Sequence, residues 1–291
     1  MPKPAPAPAA PVDLVPALTA EGYGERVARA KAYIAAGDIF QVVPSQRFSA
    51  RYDGSPFAFY RSLRRINPSP FLYFLDFGGF QLAGSSPEIL VRLRAGEVTI
   101  RPIAGTRPRG SGPAEDAALE AELLADPKER SEHLMLLDLG RNDVGRVARP
   151  GSVAVTESFA VERYSHVMHI VSNVTGKARP DIHPVDVLTA ALPAGTLSGA
   201  PKVRAMEIID ELETVKRGVY GGAAGYISAA GEVDACIILR TALFKDGHIH
   251  AQAGGGVVAD SDPQAEYEET LHKSGAIRRA AQEAWRFEVE G

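Results

Sequence analysis

The chain has 291 residues, of which 45% are hydrophobic and 23% charged, and its 32 Lys and Arg residues against 36 Asp and Glu residues give a formal net charge of −4. These proportions are typical of globular proteins and argue against a disordered or fibrous one, and the mild acidity argues against a dedicated nucleic-acid-binding protein, which usually has a basic excess. No apolar run reaches the roughly 18 residues that a membrane-spanning helix needs, so no membrane association is expected.

The first segment, residues 1–17, is rich in proline and alanine. Such a composition favours extended polyproline conformations and offers little apolar surface to bury. We therefore expect a disordered linker over residues 1–17 and a folded domain over residues 18–291. At the start of that domain, apolar residues at helical spacing predict a helix over 19–36, and Gly37 is a typical residue to end it.

Strands and further helices then follow in a mixed order. Strands are predicted at 39–48, 71–77, 79–83, 89–93, 98–100, 152–162, 167–178, 220–229, 233–245 and 248–258. Helices are predicted at 56–66, 114–125, 128–147, 184–191, 201–214 and 263–285, whereas residues 102–113 are predicted to be irregular. Asp126 is expected to cap the 128–147 helix, with Pro127 at its first position. Because strands follow one another between isolated helices, this order favours an α+β fold with antiparallel sheets and flanking helices over βαβ folds.

The single cysteine and the first residues indicate where the chain is expected to reside. One cysteine, Cys236, cannot form an internal disulfide framework. It lies in an apolar run, where we expect it to pack as a small hydrophobic residue. The opening residues lack the apolar core of a signal peptide. Together these features favour a soluble, cytoplasmic protein.

Two predicted helices each carry a pair of acids three residues apart, Glu129 with Glu132 and Glu266 with Glu269. Residues at i and i+3 are neighbours on a helix, so each pair places two carboxylates on one face. If the two faces meet, four carboxylates could hold a hard dication such as Mg²⁺, which prefers oxygen ligands. The alternative is a solvated helix face, since such pairs are common on surface helices.

Two glycine-containing segments are candidate anion sites. Gly254, Gly255 and Gly256 end a predicted strand, where the backbone could approach a ligand closely and present N–H donors; a flexible hairpin is the alternative. The segment 195–202 lacks the Gly-Lys-Ser/Thr ending of a phosphate loop, and we reject that interpretation. It could still face an anion in front of a helix N-terminus.

Two single residues in predicted strands also carry chemistry. Arg240 is expected on a buried strand face with Ile238 and Ala242, where a bound carboxylate or a structural salt bridge could partner it. His169 lies between Met168 and Ile170, and its pKa range suits acid–base work, although a structural role is the common one. Collectively the candidate residues describe a Mg²⁺-dependent site for an anion rich in carboxylates.

Seven segments, read as strings, resemble the family of chorismate-utilising enzymes and occur in that family's order. They are IFQVVPSQRF (39–48), SSPEIL (85–90), RPIAGTRPR (101–109), DPKERSEHLMLLDLGRND (126–143), AGTLSGAPK (194–202), GGAAGY (221–226) and AEYEETLHK (265–273). The resemblance implies a catalytic domain over residues 18–291, with two mainly antiparallel β-sheets packed with flanking helices. It also implies chorismate as substrate and Mg²⁺ as cofactor.

The resemblance assigns the metal site to the two acidic pairs. Glu132 and Glu269 match direct Mg²⁺ ligands, and Glu129 and Glu266 match outer carboxylates that reach the metal through water. The metal would hold the ring carboxylate of chorismate.

The resemblance also assigns substrate-binding and catalytic residues. The residues matching substrate-binding positions are Ala104, Gly105, Thr106, Tyr220, Arg240, Gly254, Gly255, Gly256 and Lys273. Glu88 matches the general acid that protonates the departing C4 hydroxyl. His169 and Thr196 match positions tied to the later elimination and to positioning of the ring substrate.

Two positions discriminate between branches of the family. Gln41 stands where water-using relatives carry a lysine that activates water, and glutamine cannot be that base. Ala104 stands where many aminodeoxychorismate synthases carry a nucleophilic lysine, so ammonia is expected to attack C2 directly. The sequence is therefore similar to the catalytic, C-terminal part of the ammonia-using enzymes that form anthranilate, the first step of tryptophan biosynthesis.

Other functions stay open at this point. An aminodeoxychorismate or aminodeoxyisochorismate synthase, or a catalytically weak fragment that still binds chorismate, would have a similar sequence. A Mg²⁺-dependent phosphoryl-transfer enzyme is disfavoured because no nucleotide motif is present.

Expectations about partners and regulation follow from the same resemblance. The usual partner is a glutamine amidotransferase subunit that supplies ammonia. Relatives usually carry a further N-terminal region that completes a tryptophan-binding site, of which residues 67–74 resemble the other half. Without that region, we expect weak or absent inhibition by tryptophan and an exposed sheet edge.

Overall fold

The structure is a computed structural model and describes residues 11–164 and 167–288. Its helices are α1 (Ala20–Ala35), α2 (Pro56–Ile66), α3 (Pro113–Ala125), α4 (Pro127–Gly145), α5 (Pro184–Ala191), α6 (Lys202–Leu212) and α7 (Pro263–Glu283). Its strands are β1 (Val15–Pro16), β2 (Gln41–Val42), β3 (Ser45–Arg51), β4 (Phe71–Asp76), β5 (Gln81–Ser86), β6 (Ile89–Arg94), β7 (Glu97–Ile100), β8 (Ile103–Pro108), β9 (Ala154–Arg163), β10 (Val167–Lys177), β11 (Gly199–Ala200), β12 (Ala223–Ile227), β13 (Val233–Ile237), β14 (Thr241–Lys245) and β15 (His248–Gly254).

The chain divides into two compact units, each built from separate stretches of sequence. Unit 1 comprises the described residues of Met1–Pro87, Leu197–Gly222 and Ile238–Gly291, and unit 2 comprises those of Glu88–Thr196 and Ala223–Ile237. Each unit has its own sheet and its own helices.

Unit 1 contains a six-stranded sheet in the order β1-β3-β15-β14-β5-β4, antiparallel throughout. One face of this sheet contributes Phe48, Phe244 and Ile249 to a core that also holds Phe59 of α2 and Ile277 of α7. Helix α7 contacts α1, α2 and β15. The packing therefore holds α7 against the strand that ends at the three glycines.

Unit 2 contains a seven-stranded sheet in the order β12-β13-β6-β7-β10-β8, with β9 paired to β10. Strand β10 is long enough for β8 to pair with its first half and β7 with its second half. Helices α3 and α4 contact β8 and β10, and Leu123, Met168 and Ile170 are buried there. This packing places the acidic face of α4 close to β8.

Local signals placed several helix ends correctly. Asp126 accepts hydrogen bonds from the N–H groups of Lys128 and Glu129 at the start of α4, as predicted. Gly37 follows α1 with φ at +81°, a conformation that favours glycine. The α+β class is confirmed, every strand pairing described is antiparallel, and Cys236 is buried in β13 as expected.

The prediction that residues 102–113 are irregular is wrong for 103–108, which form β8. Ile103 and Ala104 pair with Val171 and Ile170, and the register shifts between Ile170 and Met168. Gly105 adopts φ +69° there. The glycine and proline signals marked an irregular edge strand rather than a loop.

Two predicted long strands are interrupted. The 39–48 strand is two short strands, β2 and β3, separated at Val43 and Pro44. The 233–245 strand is also two, with β13 in unit 2 and β14 in unit 1. Arg240 lies between them with φ +48°, so the expectation that it shares a strand face with Ile238 and Ala242 is wrong.

The predicted linker over 1–17 is corrected at its end. Residues 1–10 lie outside the described residues, but Leu14 is 2% exposed and packs into the core of unit 1. Val15 pairs with Ser49 of β3 in a short strand. Apolar side chains near the end of the segment are therefore buried, which the proline content concealed. In the part of the chain that the structure describes, no helix is both long and apolar enough to cross a membrane.

Candidate active site

Strand β8 brings three of the predicted substrate-binding residues, Ala104, Gly105 and Thr106, to one edge of the unit 2 sheet. A Cβ atom added to Gly105 would lie 3.1 Å from the Oε2 atom of Glu129. The missing side chain therefore lets the strand backbone come close to the acidic face of α4. Ala104 is buried in the same strand.

Glu129 is held in place by its neighbours. Arg107 donates hydrogen bonds to Glu129 at 3.1 Å, to Asp126 at 2.9 Å and to Glu122 at 2.8 Å. Burial lowers the pKa of Arg107, but these hydrogen bonds more than offset it and the pKa is raised overall. Glu132 follows three residues later and is half-buried. The first acidic pair is therefore close to an arginine that the sequence interpretation did not single out.

His169 contacts β8 from the middle of β10. Its Nδ1 atom lies 2.9 Å from the carbonyl oxygen of Gly105 and 3.1 Å from the hydroxyl of Thr106. A carbonyl oxygen only accepts hydrogen bonds, so the Nδ1 atom carries the proton in this contact. In the neutral imidazole, Nε2 then has a lone pair and can accept a proton. The structure thus brings three predicted residues, Gly105, Thr106 and His169, into direct contact.

Glu88 and Thr196 also lie together in unit 2. The hydroxyl of Thr196 donates to the Oε2 atom of Glu88 at 3.2 Å. Both residues line a small cavity of about 40 Å³ together with Arg101 and Asp143. That volume suits one or two water molecules and is too small for a ring substrate. The hydroxyl of Thr196 nonetheless holds one carboxyl oxygen of Glu88 in place.

In unit 1, the glycine segment lies against the second acidic pair. A Cβ atom on Gly255 would lie 2.5 Å from the Oε2 atom of Glu266 and 3.6 Å from the Oε1 atom of Glu269. A Cβ atom on Gly254 would lie 2.4 Å from the carbonyl oxygen of Pro44, so the lack of a side chain at Gly254 lets the backbone just before β3 pack closely against β15. Gly254 and Gly255 are buried, and Gly256 is half-buried.

The surroundings of Glu266 and Glu269 differ. Glu266 is buried, and its Oε1 atom accepts a 2.7 Å hydrogen bond from the hydroxyl of Ser261. Glu269 forms an ion pair at 2.5 Å with Lys273, whose ammonium group also donates to the carbonyl oxygen of Gly254 at 3.1 Å. Lys273 therefore lies on the same helix face as Glu269, as the spacing of four residues predicts.

The remaining predicted residues lie in unit 1. Tyr220 is buried, and the guanidinium group of Arg217 lies 5.4 Å from the centre of its ring. Arg240 is half-buried, and its carbonyl oxygen accepts a hydrogen bond from Ser85. Gln41 is buried in β2, where a Cβ atom on Gly199 would lie 2.2 Å from its carbonyl oxygen.

The two acidic pairs suit Mg²⁺ when each is considered within its own unit. Among the described residues, no group of three or more His, Cys, Asp or Glu side chains is arranged to hold a metal ion. Each pair nevertheless offers carboxylate oxygens, the ligands that Mg²⁺ prefers. A glycine leaves room beside each pair where a side chain would intrude, Gly105 next to Glu129 and Gly255 next to Glu266. The donor chemistry and this space fit the ion.

Several residues around the predicted site residues were missed by the sequence interpretation. They are Arg107, Tyr23, Ser261, Glu162 and Tyr164. Tyr23 is fully buried, its hydroxyl donates to the carbonyl oxygen of Pro44, and burial raises its pKa despite a hydrogen bond from the N–H of Gly255. Arg107 falls within the segment 101–109, so its repeated arginines were a usable signal. The positions of the other four residues depend on strand pairing and on the chain segment that precedes a helix, and no local sequence pattern reveals them.

Comparison with known proteins identifies a matching family. A family model described as "chorismate binding enzyme" matches residues 1–279. Anthranilate synthase component 1 of Cereibacter sphaeroides is 66% identical over 270 residues, which cover 93% of this chain and 54% of the relative. The same component of Pseudomonas aeruginosa is 60% identical over 263 residues, covering 90% of this chain and 54% of the relative. The chain thus spans about half the length of the curated relatives it matches.

Solved structures show the same fold. Anthranilate synthase component I from Streptococcus pneumoniae TIGR4 matches with a TM-score of 0.86 and 49% identity, over 92% of this chain and 60% of that one. MenF, the menaquinone-specific isochorismate synthase from Escherichia coli, matches with a TM-score of 0.85 and 24% identity, over 96% of this chain and 65% of that one. At that lower identity the likeness extends to the fold alone.

Proposed function

The chain belongs to the family of chorismate binding enzymes, and from this premise we propose that it converts chorismate and ammonia to anthranilate, pyruvate and water with Mg²⁺. The observation that carries the proposal is the position of Gly105 in unit 2. Its backbone lies beside Glu129, and its carbonyl oxygen contacts His169. A predicted metal-site residue and a predicted catalytic residue therefore meet at one strand of predicted substrate-binding residues.

The first step of the proposed reaction replaces a hydroxyl by an amine. Ammonia forms a bond to C2 of chorismate, the ring double bonds shift, and the bond between C4 and its hydroxyl breaks. Hydroxide is a poor leaving group, so protonated Glu88 supplies a proton and water departs. Thr196 donates to one oxygen of Glu88 and so helps to fix the orientation of the carboxyl group.

The second step removes pyruvate. The proton on C2 is lost, the bond from C3 to the enolpyruvyl oxygen breaks, and the ring becomes aromatic. His169 suits the role of base because its Nδ1 proton is turned to Gly105, so the lone pair of the neutral imidazole is on Nε2. Released enolpyruvate takes up a proton and becomes pyruvate.

Two residues support ammonia as the nucleophile. Gln41 carries a neutral amide and cannot serve as a base for water. Ala104, buried in β8, has no nucleophilic atom and cannot form a covalent intermediate. Ammonia needs neither form of activation, so the proposal agrees with both side chains.

The proposal assigns Mg²⁺ to Glu132 and Glu269, with Glu129 and Glu266 as outer carboxylates. When bound, the ion supplies positive charge to the ring carboxylate of chorismate. Tyr220 and Arg240 would hold the second carboxylate together with N–H groups of the segment 254–256, and Lys273 adds positive charge. Ammonia would come from a glutamine amidotransferase subunit, and the expected location is the cytoplasm.

The test is a product assay. Purified chain is incubated with chorismate, ammonium and Mg²⁺, and anthranilate is followed by its fluorescence. We expect anthranilate and pyruvate in equal amounts, with loss of both when a chelator removes Mg²⁺. Formation of isochorismate or of 4-amino-4-deoxychorismate would contradict the proposal.

The metal assignment has its own test. Glu269→Ala should abolish Mg²⁺-dependent turnover while the circular dichroism spectrum is unchanged. Glu268→Ala changes the exposed neighbour on the same helix and is the matched control. Full activity of Glu269→Ala would refute the assignment.

A second candidate is binding of chorismate without turnover. The family model is described as a chorismate binding enzyme, and a chain that binds chorismate without turnover would match it as well. Calorimetry with chorismate and Mg²⁺ that shows binding, in a preparation that forms no product with ammonium, would support this candidate instead.

A further inference from the structure

A group of polar side chains next to His169 has no assigned role in the proposed conversion of chorismate to anthranilate. Glu162 of β9 is the cross-strand partner of His169 in β10. Directly opposite residues of an antiparallel pair point to the same side of the sheet. Glu162 and His169 therefore lie on one face of the unit 2 sheet.

Tyr164 connects these two residues. Its ring packs edge-on against the imidazole of His169, with ring centres 5.6 Å apart and an angle of 63° between the planes. Its hydroxyl donates to the Oε2 atom of Glu162 at 2.9 Å. The orientation of the tyrosine ring is therefore tied to the carboxylate.

Arg101 holds the other oxygen of Glu162. Its guanidinium group donates to the Oε1 atom at 2.5 Å, and the side chain of Arg101 is mostly buried. Glu157, also on β9, lies farther from the same guanidinium group at 3.7 Å and is half exposed. Arg101 also lines the cavity that contains Glu88 and Thr196.

The charges of this group are consistent with a fixed arrangement. Burial raises the pKa of Glu162, but hydrogen bonds from Arg101 and Tyr164 outweigh it, and the pKa is lowered overall. Burial, followed by the hydrogen bond to Glu162, raises the pKa of Tyr164 to about 12. At neutral pH the tyrosine is therefore a hydrogen-bond donor and the glutamate an ionised acceptor.

We propose that Arg101, Glu162 and Tyr164 are positioning residues that orient the imidazole of His169, so that its Nδ1 proton points to Gly105 and its Nε2 atom points away. None of the three needs to touch substrate. Arg101 anchors Glu162, Glu162 anchors the hydroxyl of Tyr164, and the ring of Tyr164 limits rotation of the imidazole. The catalytic consequence rests on the proposed function, because it assigns the second step to His169.

A first experiment measures the imidazole directly and needs no activity. The full chain is labelled with ¹⁵N-histidine, and the His169 signals are assigned from their loss in His169→Ala. Nitrogen shifts distinguish the two neutral tautomers. We expect the Nδ1–H form in the wild type and a mixture of both forms in Tyr164→Leu, with Tyr164→Phe between them because it keeps the ring. Glu157→Gln, which removes a carboxylate from the same strand but not from the partner of His169, should match the wild type.

A second experiment measures products. Tyr164→Leu and Glu162→Gln should form anthranilate about 10- to 100-fold more slowly, a typical effect of a misplaced catalytic group. The amino intermediate should accumulate because its formation does not use His169, and the KM for chorismate should stay within about twofold. Tyr164→Phe should restore part of the rate. Should Tyr164→Leu fail to fold, Glu162→Gln decides the question.

The two experiments separate the two proposals. The positioning role would be overturned if Tyr164→Leu and Glu162→Gln left the nitrogen shifts of His169 unchanged. In that case both variants would also give the same ratio of anthranilate to amino intermediate as the control Glu157→Gln. A wild-type chain that forms no anthranilate would overturn the proposed function, and the nitrogen shifts would still decide whether these residues orient His169.

Discussion

Gly255 shows how one missing side chain shapes the glutamate pair of α7. A methyl group there would lie 2.5 Å from the Oε2 atom of buried Glu266, closer than side-chain atoms normally approach. We expect Gly255→Ala to displace the carboxylate and to lower the free energy of unfolding by about 1–3 kcal/mol, as overpacking does. Denaturant unfolding measures this effect, and turnover in the product assay should fall with it.

Gly79→Ala is the matched control for this change. Gly79 also lies in unit 1, and no heavy atom lies within 4 Å of the position that its Cβ would occupy. Its unfolding free energy should stay within about 0.5 kcal/mol of the wild type, as for other surface substitutions. Equal destabilisation by the two substitutions would show that loss of glycine itself, rather than contact with Glu266, is responsible.

Single residues were predictable from sequence where their chemistry depends on neighbours in the chain. The acidic pairs at i and i+3 and the ion pair of Lys273 with Glu269 follow from helix spacing alone. The contact of Tyr164 with His169 does not, because it depends on the register of β9 and β10, in which Glu162 lies opposite His169. That register shifts further along the pair, between Val171 and Asn173, where no sequence signal marks it.

Among the elements, α4 depends on its first residue. The carboxylate of Asp126 accepts from the N–H groups of Lys128 and Glu129, which have no partner inside the helix, and it also pairs with Arg107. We expect Asp126→Ala to lower the free energy of unfolding by about 1 kcal/mol, the usual effect of removing an N-cap. Denaturant unfolding measures the change.

Asp126→Asn separates the cap from the charge. Asparagine is nearly as good an N-cap residue, so this variant should keep most of the capping energy while it loses the ion pair with Arg107. If Asp126→Asn is as destabilised as Asp126→Ala, the ion pair rather than the cap holds the start of α4.

The connection from β8 to α3 is held by a second aspartate. Asp116 accepts hydrogen bonds from Arg109 and from the N–H of Gly110, which lower its pKa to about 2 from the usual 3.8. The folded state therefore binds this proton less readily than the unfolded state. The stability that Asp116 contributes is present above about pH 4 and is lost as the pH falls towards 2.

Removal of this carboxylate should change the pH dependence in a defined way. Asp116→Asn should be less stable than the wild type at pH 5, and the difference should shrink as the pH approaches 2. Chemical unfolding at a series of pH values measures it. In an Arg109→Gln background the effect of Asp116→Asn at pH 5 should be smaller. An effect that is independent of pH would mean that the carboxylate charge is unimportant.

Elements defined by local signals were predicted well, and elements defined by pairing were not. The caps and glycine stops place α1, α4 and α7 to within a few residues because these signals act within one helical turn. Strand β8 was missed because its hydrogen bonds are made with β10, about sixty residues later in the chain. The interruption between β13 and β14 at Arg240 was missed because an apolar run continues across it and no local signal ends the strand.

Over the whole molecule, the order of helices and strands was enough for the α+β class but not for the division into units. Unit 1 is assembled from three separate stretches and unit 2 from two. A sequence pattern assigns neighbouring strands to one sheet, so β13 and β14 were joined although they belong to different sheets. Periodicity did not indicate that the strands form two sheets. The family resemblance predicted two sheets, because its motifs are spread along the chain and imply the fold of that family.

The cysteine content of the whole chain bears on which nitrogen source the chain can use without a partner. Release of ammonia from glutamine needs a reactive nucleophile, and in amidotransferases that nucleophile is a cysteine activated by a histidine. The chain has one cysteine, and Cys236 is 1% exposed in β13, packed as a small apolar residue. We therefore expect the purified chain to form anthranilate with ammonium and none with glutamine. Iodoacetamide should leave the ammonium-dependent rate unchanged because it cannot reach the buried thiol. Release of glutamate from glutamine by the chain alone would contradict this expectation and would indicate a glutamine-hydrolysing centre in the chain.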